Sequence, residues 1–86
     1  MPYLIVYTST FKRGFRSLSA LDKERVTKAL RELASSDSPR ILGVRKRGPL
    51  AELYAYEIGQ KVRILYAVTE KSILLVRVGT HDSVYR

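Results

Sequence analysis

The C-terminal part of the chain constrains the fold most, because three β-type segments follow one another there with almost no chain between them. The segments span residues 50–58, 61–69 and 72–78, are rich in β-branched and aromatic residues, and are separated by Gly59-Gln60 and Glu70-Lys71. Connections of two residues join strands as tight hairpins, which pair the strands antiparallel. The sequence therefore predicts a three-stranded antiparallel meander.

The N-terminal part predicts a strand and then a helix. Residues 3–8 are rich in Tyr, Ile and Val, which is typical of a strand. From Phe11 to Leu18 the aromatic and aliphatic residues recur at the spacing of one helical face. Ser9 or Thr10 is expected to cap this helix with its side-chain oxygen.

A second helix is predicted from Leu21 to about Ala34, where apolar residues continue at helical spacing. Ser19 and Asp22 have the spacing of a capping box at its start. The Ser-rich run 35–39 ends in proline and stops the helix. The order of strand, two helices and three strands predicts an α+β fold with both helices packed on one face of a single sheet.

Length and composition restrict the class of protein. The 86 residues are enough for one domain, expected to span residues 1–86, and 45% apolar with 28% charged residues is typical of folded soluble proteins. No apolar run approaches the roughly 20 residues that cross a membrane, and the N-terminus lacks signal-peptide features, so a cytoplasmic location is expected. With no cysteine and one histidine, neither a metal site nor a cofactor is expected.

The charge balance points to an acidic partner. Sixteen Lys and Arg against eight Asp and Glu give a formal net charge of +8, which attracts nucleic acid or an acidic protein. Two basic segments are expected to form a groove for RNA phosphates: Arg45, Lys46 and Arg47 in the loop before the first hairpin, and Lys12, Arg13 and Arg16 on the first helix. Solvated surface is the alternative interpretation of these charges.

The hairpins also predict which polar side chains meet at one end of the sheet. With two-residue turns, Arg63 pairs with Val78 in the second hairpin and with Tyr56 in the first. This register brings four polar side chains together, those of Glu57, Arg63, His81 and Tyr85. A slip of one residue would move Arg63 to the other face of the sheet.

These four side chains suit metal-free cleavage of an RNA phosphodiester. A base takes the 2′-hydroxyl proton, a fixed cation meets the charge that grows on the phosphate, and an acid protonates the leaving oxygen. His81 can transfer protons near neutrality, Arg63 can clamp the phosphate and Tyr85 can stack on an unpaired base. The structural alternatives are an Arg63–Glu57 ion pair or a solvated Glu57, an ordinary loop histidine, and a tyrosine that seals the core edge.

Two stretches of the sequence resemble the RelE/ParE superfamily of type II toxin–antitoxin toxins. Residues 53–68, LYAYEIGQKVRILYAV, resemble the family's hairpin, which ends in an arginine, two aliphatic residues and a tyrosine. Residues 78–86, VGTHDSVYR, resemble the Gly-Thr-His tail of the YafQ branch joined to the Val-Tyr ending of RelE-like members. The resemblance covers nearly all of the chain.

The resemblance implies a microbial-RNase-like α+β fold and an mRNA endonuclease that cleaves in the A site of the ribosome. Arg63 matches the family's strand arginine that stabilises the transition state. His81 matches the tail position used in proton transfer, and Tyr85 matches the aromatic residue near the C-terminus. A cognate antitoxin with acidic, partly helical segments is the implied protein partner, which suits the basic charge of this chain.

The chain departs from RelE at two positions, and two other functions stay open. Ala55 and Glu57 stand where RelE has two lysines, which makes Glu57 the first candidate for the general base and Glu52 the second. The ParE branch shares the fold but inhibits DNA gyrase and does not need the His/Tyr tail. A third possibility is an RNA-binding domain without cleavage, whose binding weakens with salt and tolerates His81→Ala.

Overall fold

The computed structural model describes residues 3–36, 39, 44–46, 53–59 and 61–80 of the chain. Over these residues the chain forms one strand, two helices of eight and sixteen residues, and then four more strands. The elements are β1 (Leu4–Tyr7), α1 (Ser9–Arg16), α2 (Ala20–Ser35), β2 (Val44–Lys46), β3 (Leu53–Ile58), β4 (Val62–Val68) and β5 (Ser72–Thr80).

The strands form one mixed sheet in the order β1-β5-β4-β3-β2. The predicted meander is confirmed in β3, β4 and β5, which pair antiparallel in sequence, while β1 pairs parallel with β5. The two helices follow β1 and lie on one side of the sheet, and β5, the last strand of the meander, lies alongside β1 and runs in the same direction. The predicted α+β fold, with both helices on one face, is therefore confirmed.

The sequence analysis missed strand β2. Arg45 and Lys46 were expected in a loop, but they pair with Tyr54 and Leu53 of β3 and form the edge of the sheet. A strand of three residues with two adjacent charges has no alternating pattern to reveal it, and short charged strands are typical of sheet edges. Arg47 lies outside the described residues.

Each helix begins at a side-chain cap. Ser19 Oγ accepts a hydrogen bond from the Asp22 N–H at 3.2 Å, which confirms the predicted cap of α2. The cap of α1 is Thr8 and not Ser9 or Thr10, because α1 begins directly after β1. Thr8 Oγ1 accepts from the Phe11 N–H at 3.0 Å and donates to the Val76 carbonyl at 2.8 Å. Thr8 thus fixes the start of α1 to strand β5.

The hydrophobic core lies between the helices and the sheet. The helices contribute Phe11, Val26, Ala29 and Leu33, and the central strands contribute Val62, Ile64, Tyr66, Val68, Ile73, Leu75 and Val78. Every one of these side chains is buried. Their alternation along β4 shows that the even-numbered positions of this strand face the helices.

Two tyrosines, one in this core and one packed against it, donate hydrogen bonds from their hydroxyl groups. The Tyr66 O–H donates to the Pro39 carbonyl at 2.7 Å, and burial raises the pKa of Tyr66 to about 12. The Tyr56 O–H donates to Glu32 Oε2 at 2.8 Å, which links β3 to α2. This hydrogen bond to the carboxylate is the main reason why the pKa of Tyr56 is raised.

Helix α1 approaches β5 closely at Gly14. A Cβ atom added at Gly14 would lie well inside contact distance of the Val78 carbonyl oxygen, so a larger residue needs the helix and the strand to separate. Glycine weakens an isolated helix. At this position the close packing of α1 on β5 requires it.

The predicted register of both hairpins was wrong by one residue at Arg63. Ile58 pairs with Val62, so three residues connect β3 to β4, and Gly59 among them has a φ of 65° that favours glycine. Glu57, and not Tyr56, therefore lies opposite Arg63.

The second hairpin follows the predicted register only near its turn. Tyr66 pairs with Leu75 as expected, but an irregularity between Leu65 and Tyr66 leaves Val76 of β5 without a partner in β4. Beyond this bulge every pair is shifted by one residue, so Arg63 lies opposite Gly79 and not opposite Val78.

Candidate functional site

The candidate site lies on the face of the sheet that points away from the helices, which we call the far face. Positions between the core residues of β4 point to this face, and they are Arg63, Leu65 and Ala67. Leu65 packs there with Ala55 and Val76 in a small apolar cluster that is separate from the main core. The far face therefore combines a short apolar patch with charged side chains at one end.

Glu57 and Arg63 form an ion pair at this end of the far face. Arg63 Nη2 lies 2.8 Å from Glu57 Oε1. The three-residue turn places the two residues directly opposite each other, where side chains of neighbouring strands are closest. The sequence prediction that these two side chains converge is confirmed, and so is the ion pair that it held open as an alternative.

The ion pair orients Arg63 more than it stabilises the fold. The Glu57 side chain is 56% exposed and that of Arg63 22% exposed. A pair with one exposed partner at the surface contributes about 0–1 kcal/mol to stability, because water screens the attraction and two long side chains lose freedom. The carboxylate fixes the direction of the guanidinium, a group that stays charged and whose fork of N–H donors suits an anion.

The strand that leads to the other predicted site residues ends beside Arg63. Gly79 lies opposite Arg63, and Thr80, the last residue of β5, lies opposite Val62. Gly79 carries no side chain, so no β5 side chain occupies the position opposite Arg63. His81 and Tyr85 follow in the sequence but lie outside the described residues, and their place in the site stays a prediction.

Arg77 is a charged residue of the far face that the sequence analysis missed. It lies opposite Leu65 and is half-buried. Strict alternation would place Arg77 on the core side with Ile73 and Leu75, but the bulge at Val76 moves it to the far face and gives its core position to Val78. The signal was in the sequence, because an arginine at a core position of a strand predicts a break in the alternation.

The predicted basic residues fall into separate places. Arg13 of α1 borders a groove beside β5, whereas Lys12 and Arg16 border a second, apolar groove between β1, α1 and α2. Arg45 and Lys46 lie in β2, at the opposite edge of the sheet from β1. Helix α1 and strand β2 therefore do not build the single groove that was expected, and Arg47 lies outside the described residues.

The part of the chain that the structure describes holds neither a metal-binding cluster nor a membrane-spanning helix. No group of three or more His, Cys, Asp or Glu side chains there is placed to hold a metal ion. Among the same residues, no helix is both long enough and apolar enough to cross a membrane.

Comparison with known proteins identifies the family. The sequence profile of the ParE-like toxins of type II bacterial toxin–antitoxin systems matches residues 5–86. The chain belongs to this toxin family. No curated protein matches the sequence.

Solved structures show that this toxin has the RelE fold. It is similar to the RelBE2 toxin–antitoxin complex of Mycobacterium tuberculosis, with 26% identity, a TM-score of 0.69, and coverage of 94% of this chain and 100% of the other. A free mutant of Escherichia coli RelE matches with 19% identity and a TM-score of 0.77, covering 96% and 87%. The YoeB dimer of Staphylococcus aureus matches with 15% identity and a TM-score of 0.74, covering 94% and 99%. The RelE/ParE resemblance seen in the sequence is thus confirmed.

Proposed function

We propose that this toxin is a ribosome-dependent endonuclease that cleaves mRNA in the A site without a metal. The observation that carries the proposal is the oriented Arg63 guanidinium on the far face, 2.8 Å from Glu57 and opposite a glycine. A guanidinium held in place suits stabilisation of a phosphate whose charge grows in the transition state. An ion pair with only a structural role does not require a glycine at the β5 position opposite Arg63, which is Gly79.

The reaction is an attack of a ribose 2′-oxygen on the neighbouring phosphorus. In this proposal the bound phosphate takes Arg63 from Glu57, and the freed carboxylate accepts the proton of the 2′-hydroxyl. The new bond from the 2′-oxygen to phosphorus forms while the bond to the 5′-oxygen breaks. His81 donates a proton to that leaving oxygen, and the products are a 2′,3′-cyclic phosphate and a 5′-hydroxyl end.

The remaining predicted residues have binding roles in this proposal. Tyr85 stacks on a base of the A-site codon, since single-stranded bases are recognised by aromatic faces. Phosphates of RNA are contacted by Arg45 and Lys46 at one edge of the sheet, by Arg47, which follows them in the sequence, and by Lys12, Arg13 and Arg16 on α1. The net charge of +8 favours such contacts at more than one place on the surface.

We also propose that a cognate antitoxin neutralises this toxin. The similar RelBE2 structure of M. tuberculosis and the archaeal RelE–RelB structure of Pyrococcus horikoshii are toxin–antitoxin complexes. A basic surface favours an acidic partner segment through complementary charge. Co-expression of the toxin with the product of the adjacent gene tests this partner: growth arrest that persists would contradict it.

Primer extension on an mRNA held by programmed ribosomes tests the cleavage. We expect cuts within the A-site codon for the wild-type protein, and none without ribosomes. Arg63→Ala is expected to lower the rate by about 10²–10³-fold, the usual effect of removing one donor to transition-state charge. An intact message with folded wild-type protein would exclude the nuclease.

Inhibition of DNA gyrase is the second candidate, because the matching family is described as ParE-like. In that case the Glu57–Arg63 pair has a structural role only, and Arg63→Ala leaves the toxicity unchanged. A supercoiling assay with purified gyrase separates the two functions. Inhibition by both the wild-type protein and Arg63→Ala, without mRNA cleavage, would support gyrase as the target.

A further inference from the structure

The bulge in β5 places a second arginine near Arg63. Arg63 lies opposite Gly79, and Arg77 is two residues before that glycine on the same face. Such diagonal neighbours are about 7–8 Å apart at their Cα atoms, which is within reach of long side chains. Among the described residues, two guanidinium groups therefore share this end of the far face with one carboxylate, that of Glu57.

No partner of Arg77 among the described residues explains its position. Within the described part of the chain it forms neither an ion pair nor a side-chain hydrogen bond, and it is half-buried. Like charges on neighbouring strand positions repel each other. A half-buried arginine beside another arginine is thus unfavourable by itself, and an anion bound next to Arg77 reduces the repulsion.

A groove runs along β5 at the same place. Strand β1 ends at Tyr7 and pairs with residues 72–75, so no described strand lies beside the later part of β5 on that side. Helix α1 lies there instead, and between them is a groove of about 350 Å³. Its polar lining comes from Thr10, Arg13 and Ser17 of α1 and from Arg77 and Thr80 of β5, and among the described residues no Asp or Glu contributes to it.

We propose that this edge groove binds the RNA phosphate next to the one that Arg63 engages, with Arg77 and Arg13 as its positioning residues. The proposal rests on the proposed cleavage of mRNA. It adds the path of the bound RNA, which runs from the far face of the sheet over Arg77 to α1. Two guanidinium forks and neighbouring hydroxyls suit the oxygens of a phosphodiester. The described lining of the groove carries arginines and hydroxyl groups, which favour an anion over a cation as its ligand.

Binding of a short 2′-O-methyl RNA tests the groove separately from catalysis, because this RNA lacks the attacking hydroxyl. The affinity is measured by fluorescence anisotropy over a range of salt concentrations. For single strands, each phosphate contact adds about 0.7 to the slope of log affinity against log salt. We expect Arg77→Gln and Arg13→Gln each to lower this slope by about 0.7 and Arg77→Lys to restore it.

Arg31→Gln is the matched control, since Arg31 is an exposed arginine of α2 outside the edge groove. It is expected to leave the slope unchanged. On ribosomes, Arg77→Gln is expected to raise the half-saturating ribosome concentration by on the order of tenfold, with a smaller effect on the maximal rate.

An unchanged slope in folded Arg77→Gln protein would overturn the proposal. Weaker binding of the antitoxin by Arg77→Gln, with RNA binding intact, would also overturn it and would assign the groove to a protein partner. If messages stay intact on ribosomes while RNA binding depends on Arg77, the proposed cleavage fails and the phosphate site stands.

Discussion

The two faces of the sheet differ in what their side chains contact. On the helix side, Ile64, Tyr66 and Leu75 are fully buried against α1 and α2. On the far face the same strands carry a small apolar cluster, and one end holds Glu57, Arg63 and Arg77. The helix side excludes water and holds the fold together, whereas the far face keeps charges that stabilise little.

The bulge at Val76 determines which residues of β5 lie on each face of the sheet. It keeps the apolar alternation of β5 on the core side by bringing Val78 into the core, and it moves Arg77 to the far face. One extra residue in a strand thus satisfies the core and supplies a charge to the site. The comparison predicts that changes on the helix side act on stability, and that changes on the far face act on RNA.

The largest effect is expected for Phe11→Ala on the helix side. Phe11 is 2% exposed and touches the core cluster, so its removal leaves a cavity. We expect a loss of about 3–5 kcal/mol in the free energy of unfolding, measured by urea denaturation. The exposed Lys12→Ala on the same helix is the control, and a loss below about 1 kcal/mol for Phe11→Ala would contradict the assigned core.

Tyr66 is expected to make stability depend on alkaline pH. Its pKa is raised to about 12 in the folded state, whereas an unfolded tyrosine titrates near 10, so the unfolded chain loses the proton first. The stabilisation that comes from the raised pKa of Tyr66 is fully present below pH 10. It is lost between about pH 10 and 12, which lowers the free energy of unfolding by about 2–3 kcal/mol in total.

Tyr66→Phe isolates this contribution. This variant loses the hydrogen bond to Pro39, which costs about 1 kcal/mol of the free energy of unfolding near neutral pH. The part of the alkaline fall in the free energy of unfolding that is due to Tyr66 then disappears. Urea denaturation at a series of pH values, with Tyr7→Phe as the exposed control, measures the difference. Identical alkaline profiles for the wild type and Tyr66→Phe would contradict this account of the buried hydroxyl.

Gly14→Ala is expected to destabilise the protein, although alanine is the better helix former. The added Cβ meets the backbone of Val78, which cannot move without disturbing β5. Overpacking costs typically about 1–3 kcal/mol and helix propensity returns up to about 1 kcal/mol, so we expect a net loss of about 1–2 kcal/mol. A gain in thermal stability would show that α1 and β5 are not in close contact at this point.

The smallest effect on stability is expected for Glu57→Gln on the far face. Removing this exposed carboxylate is expected to change the free energy of unfolding by less than about 1 kcal/mol. If Glu57 is the base, cleavage falls by about 10²–10⁴-fold, and Glu57→Asp recovers part of it. Full cleavage by folded Glu57→Gln would remove Glu57 from the reaction.

The sequence was sufficient for the elements with strong local signals. Helix α2 starts at the predicted Ser19 cap, and the three long strands lie where β-branched and aromatic residues are concentrated. Predicting the arrangement of the far face required information that is not local in the sequence. The ion pair depends on the three-residue turn at Gly59, and the position of Arg77 depends on which residue of β5 is displaced.

Two further differences have the same physical origin. Thr8 caps α1 because its hydroxyl also binds the Val76 carbonyl, a partner 68 residues away in sequence. Strand β2 exists because β3 offers it hydrogen bonds, and not because its own residues favour a strand. Both are consequences of tertiary contacts, which override local propensity.

The most direct test of the division between the two faces measures stability and cleavage on the same preparation of Arg63→Ala. We expect a free energy of unfolding within about 1 kcal/mol of the wild type, since the Glu57 carboxylate that loses its partner is 56% exposed and stays hydrated. We expect ribosome-dependent cleavage of mRNA to fall by at least about 10²-fold. A folded Arg63→Ala protein that cuts the A-site codon at the wild-type rate would contradict the account.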